Sequence, residues 1–442
     1  MTSVAQCSAA AMLAVVLTVT SLNSHAGGFQ LNEHSALEMG RAFAGNGLSG
    51  GDASSIFYNP AAMRYLDGTR IQAGAALIST DGRFRNQSSV QTLGATSIAS
   101  AGPNDNGGNT SLVPNFFVFH ELNDRVSLGL GITAPFGLKT DYDAGWVGRY
   151  HALESELVAV DINPSVAFRA TERLSVGFGI SAQRADVTLS RAVFLPGPDG
   201  SPRPDGFARV EGDDWAFGYN AGLAFDVAER VRVGLSYRSR MSYDFSGHRD
   251  LRGVPGAGQD VGVSADTDLP ESVMMGLRFL VSDRVSVSVG ARWTRWSRFD
   301  ELRVRFDDGS PDDVTPEDWN NSWTAGIGVD YRFSSRWSAA IGYSMDQSPV
   351  PDRFRRTPRI PDTDRRWLTA GVTYQLNSSW RVALSGAYLF IDDAEIDTQV
   401  DLVPEDLAPA GTFTDRLVGE LSSPSATIAS IQIVYGFGRR GD

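Results

Sequence analysis

Apolar residues alternate with small or polar ones over long stretches of this chain, and the alternation restarts six times from one short phrase. The copies are NDRVSLGLG (residues 123–131), TERLSVGFG (171–179), AERVRVGLS (228–236), SDRVSVSVG (282–290), SSRWSAAIG (334–342) and NSSWRVALS (377–385). Each opens with a small polar turn and runs into a period of two, the mark of a strand with two different faces. The phrase returns every 43 to 57 residues, too far apart for one strand and right for one long hairpin. Long hairpins joined by tight turns on one side give the layout of an outer-membrane β-barrel.

The alternation also sorts the faces. After the first turn Val126, Leu128, Leu130 and Ile132 share one side, opposite Ser127, Gly129, Gly131 and Thr133. After the fourth, Val285, Val287, Val289, Ala291 and Trp293 oppose Ser286, Ser288, Gly290 and Arg292. The strands entering the turns end their apolar face on Phe119, Phe168, Phe225, Phe279 and Phe333, and a second aromatic level follows at Tyr237, Trp293, Tyr343 and Tyr388. Two aromatic levels around an apolar band match the girdles of a membrane barrel. A soluble sandwich would alternate too, but its apolar face would meet a second sheet and the girdles would be accidental.

Hairpin by hairpin, the pattern predicts an all-β chain, a 14-stranded transmembrane antiparallel β-barrel, with strands at 69–80, 112–122, 125–136, 153–170, 173–190, 213–228, 230–245, 260–281, 284–305, 320–333, 336–347, 365–376, 379–399 and 425–437. An even number puts both barrel ends on the turn side, the periplasm, and sends the long Pro-, Asp- and Gly-rich connections outward. Several strands exceed the length needed to cross a bilayer, so the barrel should rise above it. The last strand ends on Tyr435 and Phe437, the aromatic end usual for such barrels, with GRRGD after it.

Composition adds the compartment. Residues 9–19 form a short apolar core followed by Ser24-His25-Ala26, a small-x-small cleavage pattern, so residues 1–26 read as a signal peptide, although no Lys or Arg precedes the core. The remaining chain has no cysteine, hence no disulfide or thiolate metal site, and no metal or cofactor is expected. A net charge of −13 argues against nucleic acid as a partner and suits acidic outer loops. The chain is expected as a monomer in the outer membrane of a Gram-negative cell, among outer-membrane lipid and lipopolysaccharide.

Residues 27–66 do not read as strand. They are rich in Gly, Ala and Ser yet dotted with Phe29, Leu31, Phe43, Ile56, Phe57 and Tyr58, which a disordered tail would lack. The inward strand faces are unusually small, with Gly129, Gly177, Gly222 and Gly328 among them. A barrel this wide leaves a lumen, and the economical inference is that residues 27–66 fold inside as a hatch, leaving 67–437 as the barrel and 438–442 as a short tail. The opening GGFQLNEHSALEMGRAFAGNG, the later YNPAAM and the segment FGLKTDYDAGWVGRYHALESELVAVDINPSVAFR (residues 136–169) resemble the outer-membrane long-chain fatty acid transporters, the FadL family with its aromatic-hydrocarbon relatives. The resemblance runs over essentially the whole chain after residue 26. It implies capture of an amphiphile at an outer groove, transfer to an apolar lumenal pocket, a hatch rearrangement and lateral exit through the barrel wall.

Candidate residues follow. Asn59-Pro60-Ala61, placed just before the first strand, is the expected hatch motif; Pro60 fixes a backbone dihedral and Asn59 can cap a local turn. Ala134, Pro135, Phe136 and Gly137 are the candidate lateral gate, since Pro135 cannot donate to a ladder and Gly adjoins bulges; the alternative is that Pro135 only starts an outer loop. A buried carboxylate needs a basic partner, and the strand pattern turns Arg238 and Arg292 inward, above the turn-side half, either to ligand or to lumenal acids such as Asp161 or the hatch. Phe29 is the pocket residue the resemblance favours. Val193-Phe194-Leu195, with Phe194 and Leu195 as ligand contacts, is an apolar run suited to a capture groove, or equally to loop packing.

An enzyme would need a nucleophile and base constellation. His34, His120, His151 and His248 stand in no Gly-x-Ser-x-Gly or HExxH context, so no catalytic residue is assigned. A general porin would carry a charged eyelet and no plug. Within the transporter reading, fatty acids and neutral hydrophobes such as monoaromatics both fit an apolar pocket; a polar anchor in it would favour the acid.

Overall fold

In the computed structural model, which describes residues 27–197, 203–255, 260–403 and 411–438, fourteen antiparallel strands close into a barrel. They are β1 (Thr69–Asp81), β2 (Thr110–Glu121), β3 (Val126–Asp141), β4 (Glu154–Arg169), β5 (Leu174–Val193), β6 (Gly206–Ala228), β7 (Val231–Arg238 and Met241–Arg252), β8 (Asp260–Leu269 and Ser272–Leu280), β9 (Val285–Thr294 and Glu301–Phe306), β10 (Ser322–Arg332), β11 (Trp337–Asp346), β12 (Arg365–Gln375), β13 (Trp380–Ile391) and β14 (Ser425–Phe437). Closure is the β1–β14 ladder, in register from Thr69↔Phe437 to Asp81↔Ser425, so neither terminal strand leaves an open edge. The two faces separate as the alternation predicts: Leu128, Ile341, Leu384 and Ile433 are exposed toward lipid, while Ser286, Ser288 and Arg292 are buried inside. Phe168, Phe225 and Phe333 mark one exposed aromatic level and Tyr343 and Tyr388 the other.

Several expectations need correction. Phe119 faces inward and is fully buried. The stretch FFVFHE carries aromatics on both parities, and Phe116 and Val118 take the lipid side; Phe117 and Phe119 pair with Gly131 and Gly129, which leave them room against the hatch. β7, β8 and β9 are not continuous. They break at 239–240, 270–271 and 295–300, the last around a short 3-10 turn, Trp296–Arg298. β13 stops at Ile391 rather than running to 399, because Ala394–Asp401 leaves the wall to pair with Phe413–Leu421. With Phe84–Asn86, Val90–Leu93 and Thr96–Ala99 these form a five-stranded outer sheet, so two of the long connections are folded rather than loose. Residues 1–26, read as a signal peptide, and 439–442 of the tail lie outside the described residues.

Residues 32–66 fill the turn-side half of the lumen, and residues 27–31 rise above it. Helix α1 (Ala36–Met39) is capped by Ser35, whose hydroxyl accepts from the Glu38 N–H, and helix α2 (Ser55–Tyr58) leads into the 3-10 turn Pro60–Tyr65. Met39, Leu48, Ile56, Ala61 and Met63 are fully buried against the wall. Small inward residues make this fit possible: a Cβ on Gly129 would stand 2.7 Å from Ile56 Cγ1, and one on Gly177 would overlap the Ala61 backbone.

Candidate functional site

The hatch is held to the wall by hydrogen bonds rather than by packing alone. Asn59 is the hinge of this contact. Its Oδ1 accepts from Ala61 N–H at 3.1 Å, capping the 3-10 turn, and its Nδ2 donates to Leu223 O on β6 at 3.0 Å. Pro60 occupies the first position of that turn, where no N–H is needed. Deeper, Gln432 donates to Asp52 at 2.8 Å and accepts from Ala36 N–H at 3.0 Å, while Ser35 donates to Asp52 at 2.5 Å. Arg41 pairs with Asp330 at 2.7 Å and Glu38 at 2.8 Å.

The two arginines singled out from the sequence belong to this seat. Arg238 is buried, donates to Asp161 at 3.1 Å and to Ser181, and lies over the Phe57 ring of the hatch at 4.3 Å. Arg292 donates to Asn32 of the hatch and to Thr324. Both therefore take the alternative role, pairing with lumenal acid and plug, and neither stands open to a ligand. Val193-Phe194-Leu195 is likewise not an exposed run. Phe194 is buried beside Tyr150 and Phe413, and Leu195 is half-buried, its carbonyl accepting from Arg203 N–H at 2.9 Å.

Phe29 sits at the start of the hatch, above the seat, inside an aromatic box. Its ring centroid is 4.8 Å from Trp296, 5.7 Å from Trp319, 5.9 Å from Phe299 and 6.2 Å from Phe136. The contacts with Trp296, Phe299 and Phe136 are edge-to-face, an arrangement favoured for aromatic pairs, and that with Trp319 is tilted. Trp296 reaches the box because the 3-10 turn breaks β9. Sequence reasoning missed Trp296, Phe299 and Trp319, yet a signal existed: Trp293 and Trp296 are three residues apart and cannot share a face in a regular strand. Beside the box lies an apolar cavity of about 90 Å³ lined by Leu138, Leu157, Val187, Phe245, Leu269 and Ile360, among others. Behind Trp319, buried Glu317 accepts the indole N–H at 2.9 Å, and burial pushes its carboxyl up to about 8.

Ala134-Pro135-Phe136-Gly137 is a bulge. Thr133 pairs with Asp161 and Phe136 with Ala159, so three steps on β3 answer two on β4. On the other side, β3 pairs with β2 only from Ser127↔Glu121 to Ile132↔Phe116. Beyond that point the hatch takes over as partner of β3: Leu31 N–H donates to Pro135 O at 2.9 Å and Gly137 N–H to Phe29 O at 3.1 Å. Residues 110–115 of β2 are left without a neighbour on that side. The wall is also interrupted where β7, β8 and β9 break, but here a cavity of about 710 Å³ reaches both of its faces, touching Leu31, Trp367 and Leu389 inside and Leu112, Phe116 and Val160 on the lipid face.

A closed barrel, a hydrogen-bonded plug and an apolar lumenal chamber define a class: a plugged outer-membrane transport barrel. The family model for "Outer membrane protein transport protein (OMPP1/FadL/TodX)" matches residues 17–437, and the chain belongs to that family. It is thus a transporter of the Gram-negative outer membrane and not an enzyme. The "Long-chain fatty acid transport protein" of Escherichia coli O6:H1 is 29% identical over 410 residues, covering 85% of this chain and 90% of that protein. "Outer membrane protein P1" of Haemophilus influenzae Rd is 27% identical, covering 86% and 89%. Among solved structures, a Pseudomonas aeruginosa FadL homologue superposes with a TM-score of 0.83 at 23% identity, covering 93% of this chain and all of that one. The Pseudomonas putida toluene transporter TodX gives 0.65 at 17%, covering 93% and 100%.

Proposed function

We propose that the protein takes up long-chain fatty acids, receiving them from outside, holding them in the chamber beside Phe29 and releasing them sideways between β2 and β3 into the membrane. In this reading the barrel works as a monomer, with outer-membrane lipid and lipopolysaccharide around it. The observation that supports it most directly is the cavity of about 710 Å³ that meets lumenal and lipid-facing side chains at one interruption of the wall. The physical logic is the cost of the aqueous alternative: each methylene moved into water costs about 0.8 kcal/mol, so a long chain should never leave an apolar path. The names of the relatives most similar in sequence support the acid as substrate. The aromatic box and the predominantly apolar smaller cavity support a second reading, uptake of neutral monoaromatic hydrocarbons. A general porin fits neither the plug nor the apolar chamber.

The test is uptake of oleate against toluene by a transporter-deficient Gram-negative strain carrying this chain. Oleate uptake is the expected result. Replacing Ala134-Pro135 by a single Thr would remove the extra residue of the bulge and extend β2–β3 pairing. Uptake should then fall several-fold while purified protein still binds oleate. Transport that persists through a demonstrably closed wall would exclude this exit.

A further inference from the structure

β7, β8 and β9 break side by side, and the breaks carry charged residues onto the outer surface of the wall. Tyr237, Val273, Trp293 and Trp323 are register neighbours across β7, β8, β9 and β10, and their row belongs to the loop-side aromatic level. Below it Leu235, Met275, Val289 and Ile327 are exposed to lipid. Above it the inward residues Met241, Leu269 and Thr294 are buried, so Arg240, Asp268 and Arg295 beside them point outward. The 3-10 turn sends Trp296 inward and returns Arg298 to the same outer patch. Glu271, in the gap of β8, is the centre of the patch. It accepts from Arg298 Nε at 2.5 Å and Nη2 at 3.1 Å, and from Arg295 Nη1 at 3.1 Å. Asp268 accepts from Arg240 Nη1 at 3.0 Å, with Arg298 Nη1 at 3.7 Å.

Three guanidiniums thus share two carboxylates. Two other outward groups on the wall differ: Arg366 faces Asp392 alone, and Arg184 faces both Asp186 at 3.2 Å and Asp213 at 3.1 Å. One outward step beyond the patch, Asp244 and Asp266 outnumber Arg305. The excess of positive charge is therefore confined to the height just above the aromatic row. Arg240 and Arg295 are half-exposed, and each gives only its Nη1 to a carboxylate; among the described residues Nε and Nη2 of both donate to no protein acceptor. Aromatic rows mark the membrane–water boundary, where the anions at hand are lipid head groups. In the outer leaflet of this membrane the head is a phosphorylated glycolipid. A guanidinium presents the planar fork that matches phosphate, and the acyl chains of the same molecule would lie on Leu235, Met275 and Val289 below.

We propose that the patch at the breaks of β7, β8 and β9 is a binding site for a phosphate group of outer-leaflet lipopolysaccharide, with Arg240 and Arg295 as its donors and Arg298 holding Glu271 and Asp268 in place between them. The site lies on the outside of the barrel, and it stands whether the transported molecule is an acid or a neutral hydrocarbon.

Purified protein in detergent should be titrated with hexa-acylated lipid A carrying both of its phosphates and with the same lipid after both are removed. The proteins compared are the wild type, the double variant Arg240→Gln with Arg295→Gln, and the double variant Arg240→Lys with Arg295→Lys. Arg298 is kept in all three so that Glu271 retains its partner, and melting without lipid reports folding. Loss of the charge-assisted hydrogen bonds corresponds to about tenfold or more in affinity. The Gln variant should lose that much for the phosphorylated lipid and nothing for the dephosphorylated one, with partial rescue in the Lys variant. Wild-type affinity for the phosphorylated lipid should fall as salt is raised. Equal wild-type affinity for the two lipids overturns the proposal, as does an unchanged affinity in the Gln variant. Phosphatidylglycerol that binds as tightly as the phosphorylated lipid overturns it too, since the patch would then be a general contact for anionic lipid. Should the double variant melt well below the wild type, Arg240→Gln alone should show the same selective loss at smaller size, and no loss there rejects the site.

Discussion

The two halves of the lumen are built from the same strands and the same inward parity, and they do opposite things. In the turn-side half the inward residues are Gly, Ser and paired charges. Arg238 meets Asp161, Arg278 and Arg41 share Asp330, and Gln432 meets Asp52. In the outer half Leu, Val, Phe and Trp predominate around open volume, with Glu156 and Glu211 also on its lining. A β-barrel leaves the inward side chain free at every second position, so side-chain size alone decides whether a level seats a plug or solvates an apolar guest. The polar network below is well suited to a seal, because it holds one arrangement while its partners are satisfied and becomes costly once they are not.

Removing the seal is the most drastic way to test this contrast. Deleting residues 27–46 should leave the barrel assembled, since strand pairing does not include that segment apart from the contact at Pro135 and Phe136. Single-channel conductance should rise by about tenfold or more, as a barrel of this strand number is wide enough for an aqueous lumen once emptied. An unchanged conductance would mean that the segment does not seal the pore.

A smaller effect is expected from loosening the seat at one point. Asn59→Ala loses both the cap on Ala61 and the bond to Leu223. A lost cap is worth about 0.5–2 kcal/mol, and an unsatisfied buried partner about 1–3 kcal/mol. Uptake should fall several-fold at equal surface abundance, with the hatch more open to protease. Asn59→Asp separates the two contributions, because it retains the cap and loses the donor to Leu223. Equal uptake by all three proteins at equal abundance would remove the triplet from the transport cycle.

The contrast also explains what could be read from the sequence. The wall was legible, because lipid on one side and small residues on the other impose period two along most strands. The hatch was legible by exclusion: apolar dots in a Gly-rich segment need a home, and Gly177 and Gly222 supply one. The outer half was not. Its pocket depends on strands leaving their period, as where Trp296 turns inward at the break in β9, and on loops that fold back, as where residues 358–360 enter the mouth. Phe119 misled for a related reason, since an aromatic run on both parities carries no period. Arg238 and Arg292 were correctly turned inward, but alternation gives only the face. Counting along the strands put both above the turn-side half, but it could not give how far the hatch rises, and both meet the hatch there.

The smallest effect tests the border of the apolar half. Glu317 is buried, accepts the Trp319 N–H and has a carboxyl raised to about 8; Arg359, Arg355 and Asp318 are the charged groups that act on it. A carboxyl raised in the folded state keeps its proton between about pH 4.5 and 8, where the unfolded chain has already released it. Its contribution to stability is therefore greatest at low pH, declines as pH rises above 4.5 and levels off once the folded group ionises near 8. The charge then appears behind Trp319, one wall of the box around Phe29, so tryptophan emission should shift between about pH 7 and 9. Glu317→Gln, which keeps an acceptor for the indole and cannot ionise, should abolish that step and leave the barrel otherwise unchanged. A step of equal size in both proteins would place the titration elsewhere and leave Glu317 as a silent neighbour of the box.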